Sequence, residues 1–235
     1  MLGARKLAAV AALCIAAMLA AAGQERAAAS PPAHEPLARA KTEQLAPDPA
    51  IRNARVAEAV RRIVAVDDAQ AMPFFVIDKE AAVLYAFDKQ GKLRAQSAVL
   101  LGSALGDHTV PGVGDLPIPQ VPPAARTTPA GRFVGTPGRN ARNEDVVWVD
   151  YDAAVSMHRV ITTNPRERRI ERLSSPSPAD NRISYGCINV WPRFFETYVL
   201  PAYRGQRPPI YILPESEPFD SVIHLRDATP ARASH

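Results

Sequence analysis

A change of pattern at Pro73 constrains this chain more than any other feature. Beyond it, short apolar runs alternate with turn residues as far as Pro214. Phe74-Phe75-Val76-Ile77-Asp78 is the first run, and Ala82 to Phe87 is the second. Asp88-Lys89-Gln90-Gly91 supplies the next turn. Ser97 to Leu101, Arg132 to Gly135, Val146 to Val149, Val155 to Ile161 and Ile210 to Leu213 continue the series. Each run is too short for a helix and rich in β-branched or aromatic residues, which is the signature of strands. Gly102 to Thr128 carries many Gly and Pro and reads as loop. Pro192 to Tyr198 reads as a short helix with proline in its first turn. Residues 72–214 therefore form one mostly β domain with one or two short helices, long enough to bury a good core.

The flanks read differently. Val56, Val60, Ile63 and Val64 place one apolar stripe on a helix over Ile51 to Val66, within a segment 50–68. Residues 23–49 are rich in Ala and Pro, contain no aromatic residue and read as a flexible linker. Residues 1–22 have the plan of a secretory signal peptide. Arg5 and Lys6 open it, an apolar stretch runs from Leu7 to Leu19, and small residues follow at Ala20 to Ala22. The apolar stretch is short of the roughly 20 residues a bilayer span needs. The expected product is an exported, periplasmic protein with no membrane attachment after cleavage. Residues 215–235 read as a loose C-terminal tail.

Cleavage changes the charge and the cysteine arithmetic. Without Arg5 and Lys6, the 28 basic residues fall to 26 against 24 acidic ones. That near balance excludes the basic footprint of a nucleic-acid-binding protein. Of two cysteines, Cys14 leaves with the signal, so Cys187 has no internal disulfide partner. A lone thiol in an oxidising compartment fits either a reactive group or a small buried hydrophobe.

The surroundings of Cys187 favour chemistry. In Ile183-Ser184-Tyr185-Gly186-Cys187-Ile188-Asn189, glycine before cysteine permits a tight turn and close approach of a substrate. Amides of Tyr185, Gly186 and Cys187 pointing one way would form an oxyanion hole. A thiol nucleophile also needs a base. Among five histidines, His158 ends a strand-like run within the same domain, while His108 lies in a Gly- and Pro-containing loop. From spacing alone, a merely structural histidine is the simpler reading. Cys187 and His158 have no CxxC or HxxxH companions, so no metal set and no cofactor are expected.

The segment Ser184-Tyr185-Gly186-Cys187-Ile188-Asn189 resembles the nucleophile motif of the L,D-transpeptidase catalytic domain family, usually Ser/Thr-His-Gly-Cys-hydrophobic-Asn/Arg. Thr128-Pro129-Ala130-Gly131-Arg132-Phe133 is similar to that family's Thr-Pro-x-Gly-x-Phe/Tyr segment, and His158 matches its upstream histidine. The motifs occur in the family's order within residues 72–214. The resemblance implies an L,D-transpeptidase-type β-sandwich that acts on peptidoglycan peptide stems. It makes Cys187 the nucleophile and His158 the general base, oriented by the backbone carbonyl of Arg159. It also implies oxyanion donors at Tyr185 and Gly186, substrate contacts at Ser184 and Asn189, and acylation of Cys187 by carbapenems.

Three departures bear on that reading. Tyr185 stands where the family has a second histidine, which removes any imidazolium role but leaves a hydroxyl. Arg159 follows His158 in place of the usual Gly or Ser. The interval between His158 and Cys187 is longer than usual because of the polar segment Arg166 to Asn181, read as a surface insertion. Two alternatives to transpeptidation stand beside it: an L,D-carboxypeptidase or related hydrolase, if water resolves the thioester, and a cell-wall-binding module that has lost its chemistry. The acceptor and the oligomeric state are not written in the sequence.

Overall fold

The structure is a computed structural model that describes residues 48–226. The expected signal segment and nearly all of the linker lie outside the described residues. The last linker residues are tied down: Asp48 accepts hydrogen bonds from Ala50 N at 2.9 Å and from Leu93 N at 3.0 Å.

The chain is mostly β. Among the described residues ten strands follow one helix, α1 (Ala54–Ala65). They are β1 (Phe74–Asp78), β2 (Val83–Phe87), β3 (Leu93–Gly102), β4 (Gly131–Val134), β5 (Thr136–Arg139), β6 (Asp145–Asp150), β7 (Val155–Arg159), β8 (Arg182–Ser184), β9 (Ile188–Val190) and β10 (Pro209–Leu213). A short helix, α2 (Arg169–Ser174), precedes β8. The sheet order is β4-β10-β1-β2-β3-β9-β7-β6-β5, with β8 attached beside β3. The sheet bends until β4, at one edge, packs near β6, next to the other edge.

Strand β1 shows why the first run is continuous rather than alternating. It sits between β10 and β2 and is buried along its whole length; a strand covered on both faces favours apolar residues throughout, here Phe74 to Ile77, while Asp78 at its end is paired with Asn53 and Arg55. Phe75 and Ile77 point into the main core with Leu84, Val99, Leu101, Val147, Met157 and Ile188. Phe74 and Val76 point the other way, against Val56, Val60 and Ile63 of α1. Asn53 caps that helix, its side chain accepting from Arg55 N and Val56 N. Val56 and Ile63 are fully buried, and each such side chain contributes roughly 1.5–3 kcal/mol.

Three strands were not legible. β5 contains Pro137 and Gly138, which depress strand propensity, yet it lies at the sheet edge where proline is tolerated. β8 and β9 are three residues each and flank the Tyr185-Gly186-Cys187 turn. Two boundaries also moved: the expected strand over Val155 to Ile161 stops at Arg159, and the one over Ser97 to Leu101 runs from Leu93 to Gly102. The helix expected over Pro192 to Tyr198 is a longer run to Ala202 with a π-helical middle at Phe195–Val199.

The expected loose tail is packed as far as it is described. Asp107 accepts from the amides of Glu215, Ser216 and Glu217 at 2.8, 2.8 and 2.9 Å. Ile223 is buried in the α1 layer, and Arg226 N donates to Asp68 at 2.7 Å. A buried carboxylate collecting successive amides fixes a segment whose composition alone looks mobile. The insertion over Arg166 to Asn181 is largely exposed but carries α2, anchored by buried Leu173 and Asn181.

Candidate active site

Sheet register brings the motif residues together. β7 and β9 run parallel as neighbours, with His158 opposite Asn189 and Met157 opposite Ile188. Cys187 leads directly into β9, so it lies beside β7. The alternation of β7 then sorts its side chains: Val155 and Met157 enter the core, while Ser156 and His158 face a cleft that also holds Cys187. The cleft has a volume of about 350 Å³, with Trp148, Ile118 and Tyr185 among its walls.

The cysteine turn is held from within. Gly186 has φ +127°, and a Cβ there would stand 2.9 Å from the Thr127 carbonyl oxygen, so both conformation and space demand glycine. Ser184 is buried; its hydroxyl donates to Cys187 O at 2.6 Å and accepts from Gly186 N at 3.1 Å. Asn189 is fully buried; its amide donates to Cys187 O at 3.3 Å, and its carbonyl accepts from Arg169 of α2 at 2.7 Å. Thr128 is also fully buried; its hydroxyl donates to Gly186 O and accepts from Gly102 N, both at 2.8 Å.

These contacts bear on three of the expected site residues. Ser184 and Asn189 were expected to touch substrate, but both are buried with their polar atoms committed to the turn itself. Both donate to the Cys187 carbonyl oxygen. Gly186 was expected to donate its amide to an oxyanion, but that N–H already points at Ser184 Oγ. The amides of Tyr185 and Cys187 are the remaining donors of the turn.

His158 is nearly buried, and its Nδ1 lies 2.6 Å from the Arg159 carbonyl oxygen. A carbonyl can only accept, so Nδ1 carries a hydrogen, and in the neutral ring the lone pair is on Nε2. The Arg159 guanidinium is turned away to Glu196, at 2.6 Å. His108 is exposed on the surface, 2.5 Å from Glu217, and takes no part in the cleft. Burial pushes the Cys187 thiol up, but the hydrogen bond and charge of His158 beside it, with contacts from Ser156, outweigh that and hold it below the ordinary thiol value. A lowered value means more thiolate, the reactive form.

Tyr185 is partly buried. Its ring packs on Val113, Val121 and Ala125 of the long loop after β3, with the Arg126 guanidinium 4.2 Å above it. No hydrogen bond of its hydroxyl occurs among the described residues, so it acts by packing and stacking. Four contributors were missed from sequence: Thr128, Ser156, Ala154, whose carbonyl lies 3.6 Å from Cys187 Sγ, and Arg169. Thr128 stands in the Thr-Pro-x-Gly-x-Phe segment, and Ser156, two residues before His158 on a strand, shares its face. Arg169 gave no signal, because a charge run is ordinarily a solvated face. Among the described residues no group of three or more His, Cys, Asp or Glu could hold a metal ion.

No family model and no curated protein matches this chain. It is similar to several solved structures at low identity. The Ldtfm–avibactam carbamoyl enzyme is 14% identical over 61% of this chain and 49% of its own, with a TM-score of 0.36. The helical cell shape determining protein Pgp2 of Campylobacter jejuni is 11% identical over 62% and 48%, with a TM-score of 0.40. The catalytic domain of the Enterococcus faecium L,D-transpeptidase is 15% identical over 61% and 98%, with a TM-score of 0.33. The chain thus spans about half the length of the first two and nearly all of the isolated domain. The motifs around Cys187 resemble those of the L,D-transpeptidase catalytic domain family, and one of these three solved structures is such a domain.

Proposed function

We propose that this protein is a cysteine acyltransferase that forms L,D cross-links between peptidoglycan peptide stems. The observation that carries the reading is the His158–Cys187 pair: a base with its tautomer set by Arg159 O, beside a thiol whose ionisation it favours, in one cleft. This is the arrangement nucleophilic catalysis requires.

His158 Nε2 takes the thiol proton, and the Cys187 sulfur attacks the carbonyl between the third stem residue and D-Ala. Negative charge on the carbonyl oxygen is met by the amides of Tyr185 and Cys187. Collapse releases D-Ala, whose amine takes the proton back from His158, and leaves a thioester. The side-chain amine of a second stem attacks that thioester and gives up a proton to His158 as the cross-link forms. Catalysis is placed in the periplasm, after export directed by residues 1–22. Among the described residues no helix is long and apolar enough to cross a membrane.

The test is incubation of the protein with purified muropeptides, followed by mass spectrometry. Cross-linked dimers with loss of D-Ala are expected, together with a single carbapenem adduct mapped to the Cys187 peptide; both are lost in Cys187→Ala. Release of D-Ala without dimers would make the protein an L,D-carboxypeptidase. No product and no adduct would leave a binding module.

A further inference from the structure

Ser156 plays no part in the scheme above, yet its side chain lies against the sulfur. Ser156 is 5% exposed, and its Oγ is 3.7 Å from Cys187 Sγ. Among the described residues that sulfur is its one side-chain hydrogen-bond partner. A buried hydroxyl whose only contact is a weak one gains little for the fold. On the core side of the same strand the chain places Val155 and Met157, and on stability grounds alone an alanine would serve at 156 as well.

The sulfur has two neighbours of opposite character besides His158. Ala154 offers a carbonyl at 3.6 Å, which can only accept a hydrogen. Ser156 offers a hydroxyl, which can donate. A neutral thiol can direct its hydrogen at Ala154 O or at His158, whereas a thiolate has no hydrogen to give and can only accept, which the Ser156 hydroxyl allows. The turn that presents both groups is rigid. Ala154 has φ +53°, a left-handed conformation that costs energy for a residue with a Cβ. A Cβ on Gly114 would stand 2.1 Å from Asp152 O, so the long loop is pressed against that turn. The Asp150 carboxylate also caps Ala153 N at 3.1 Å.

We infer that Ser156 is a third catalytic residue, whose hydroxyl donates to the Cys187 thiolate once His158 has taken the proton. No bond to Ser156 is made or broken. The S–H proton moves to His158 Nε2, the electron pair stays on sulfur, and the Ser156 O–H reorients toward it. The same hydroxyl stabilises the thiolate that departs when the thioester is resolved. The ionisable groups that share the cleft with the thiol are His158 from β7, Tyr185 from the cysteine turn and Arg142 from the turn between β5 and β6. This inference rests on the proposed nucleophile but not on the substrate.

The pH dependence of alkylation of the native full-length protein by iodoacetamide, followed on the Cys187 peptide by mass spectrometry, tests it without any cell-wall substrate. Ser156→Ala is expected to raise the apparent thiol pKa by about half to one unit, the size of one lost hydrogen bond. Ser156→Thr, which keeps the hydroxyl, is expected to stay near the parent, and Ser156→Val, of the same shape without it, to follow Ser156→Ala. Comparing Thr with Val holds the volume constant if Ala disturbs packing. A thermal midpoint that falls while the alkylation profile of both Ala and Val stays unchanged would overturn the inference. An alkylation shift in a protein inert toward muropeptides would sink the transpeptidase reading and leave the role of Ser156 standing.

Discussion

Two buried polar regions meet at Thr128 and behave in opposite ways. On one side, Lys79 is fully buried and its ammonium donates to Asp107 and to the Thr128 carbonyl, each at 2.9 Å, and lies 3.3 Å from Glu215. Arg182 completes the cluster by pairing with Glu215 and donating to Lys79 O. Two cations face two anions, and among the described residues every buried side-chain polar atom has a partner. On the other side, the Thr128 hydroxyl holds Gly186 O, and beyond it lies a sulfur with only long contacts, open to a cleft. The first region is saturated, so it fixes the β1–β2 turn, the loop after β3 and the C-terminal segment in place. The second leaves one atom under-satisfied on that rigid mount, which suits the nucleophile role proposed for Cys187.

The sharpest way to break this contrast is at the base. His158→Ala is expected to lower the rate of Cys187 acylation by roughly 10²–10⁴-fold, the usual worth of a positioned acid–base group, with the thermal melt nearly unchanged. Intact-mass kinetics with a carbapenem measures it. A larger loss in His108→Ala than in His158→Ala would move the base out of the cleft.

The saturated region is expected to respond in stability instead. Asp107→Asn leaves the Lys79 ammonium buried without its full counter-charge and is expected to cost about 3–5 kcal/mol, read from urea denaturation. The pH dependence follows the same group. Burial pushes the Asp107 carboxyl up, but the Ser216 hydroxyl, Lys79 and the amides of Glu215 and Ser216 more than offset that and hold it well below the usual carboxylate range. Its contribution is therefore present above the unfolded carboxylate value near 4 and is lost as pH falls through the depressed native one. In Asp107→Asn that acid-dependent part should flatten.

The smallest effect is expected at Tyr185, between the two. With no partner for its hydroxyl among the described residues, Tyr185→Phe should change acylation by less than about threefold, below the loss expected from one full hydrogen bond. Tyr185→Ala, which removes the surface stacked under Arg126, should have the larger effect. A tenfold loss in Phe would restore a hydrogen-bonding role for the hydroxyl.

Much of this molecule was readable in one dimension. The apolar runs at Phe74–Asp78 and Ile210–Leu213 announced strands because burial on both faces demands apolar residues throughout. The stripe of α1 declared its buried side. Cys187 and His158 stood out as chemistry, since few other residues can supply a thiol or a neutral base. The bonds that Ser184, Gly186 and Asn189 make within their own turn were not legible, because a short polar residue beside a cysteine looks the same in sequence whether it faces outward or folds back on its own turn. Which neighbour takes each hydrogen bond is a long-range outcome. The parallel pairing of β7 with β9 decided that Ser156 and His158 would share a face with a cysteine some thirty positions later. Asp107 decided that a polar tail would be held. Local periodicity fixes which way a side chain points along a strand; only the packing of distant segments decides what it meets there.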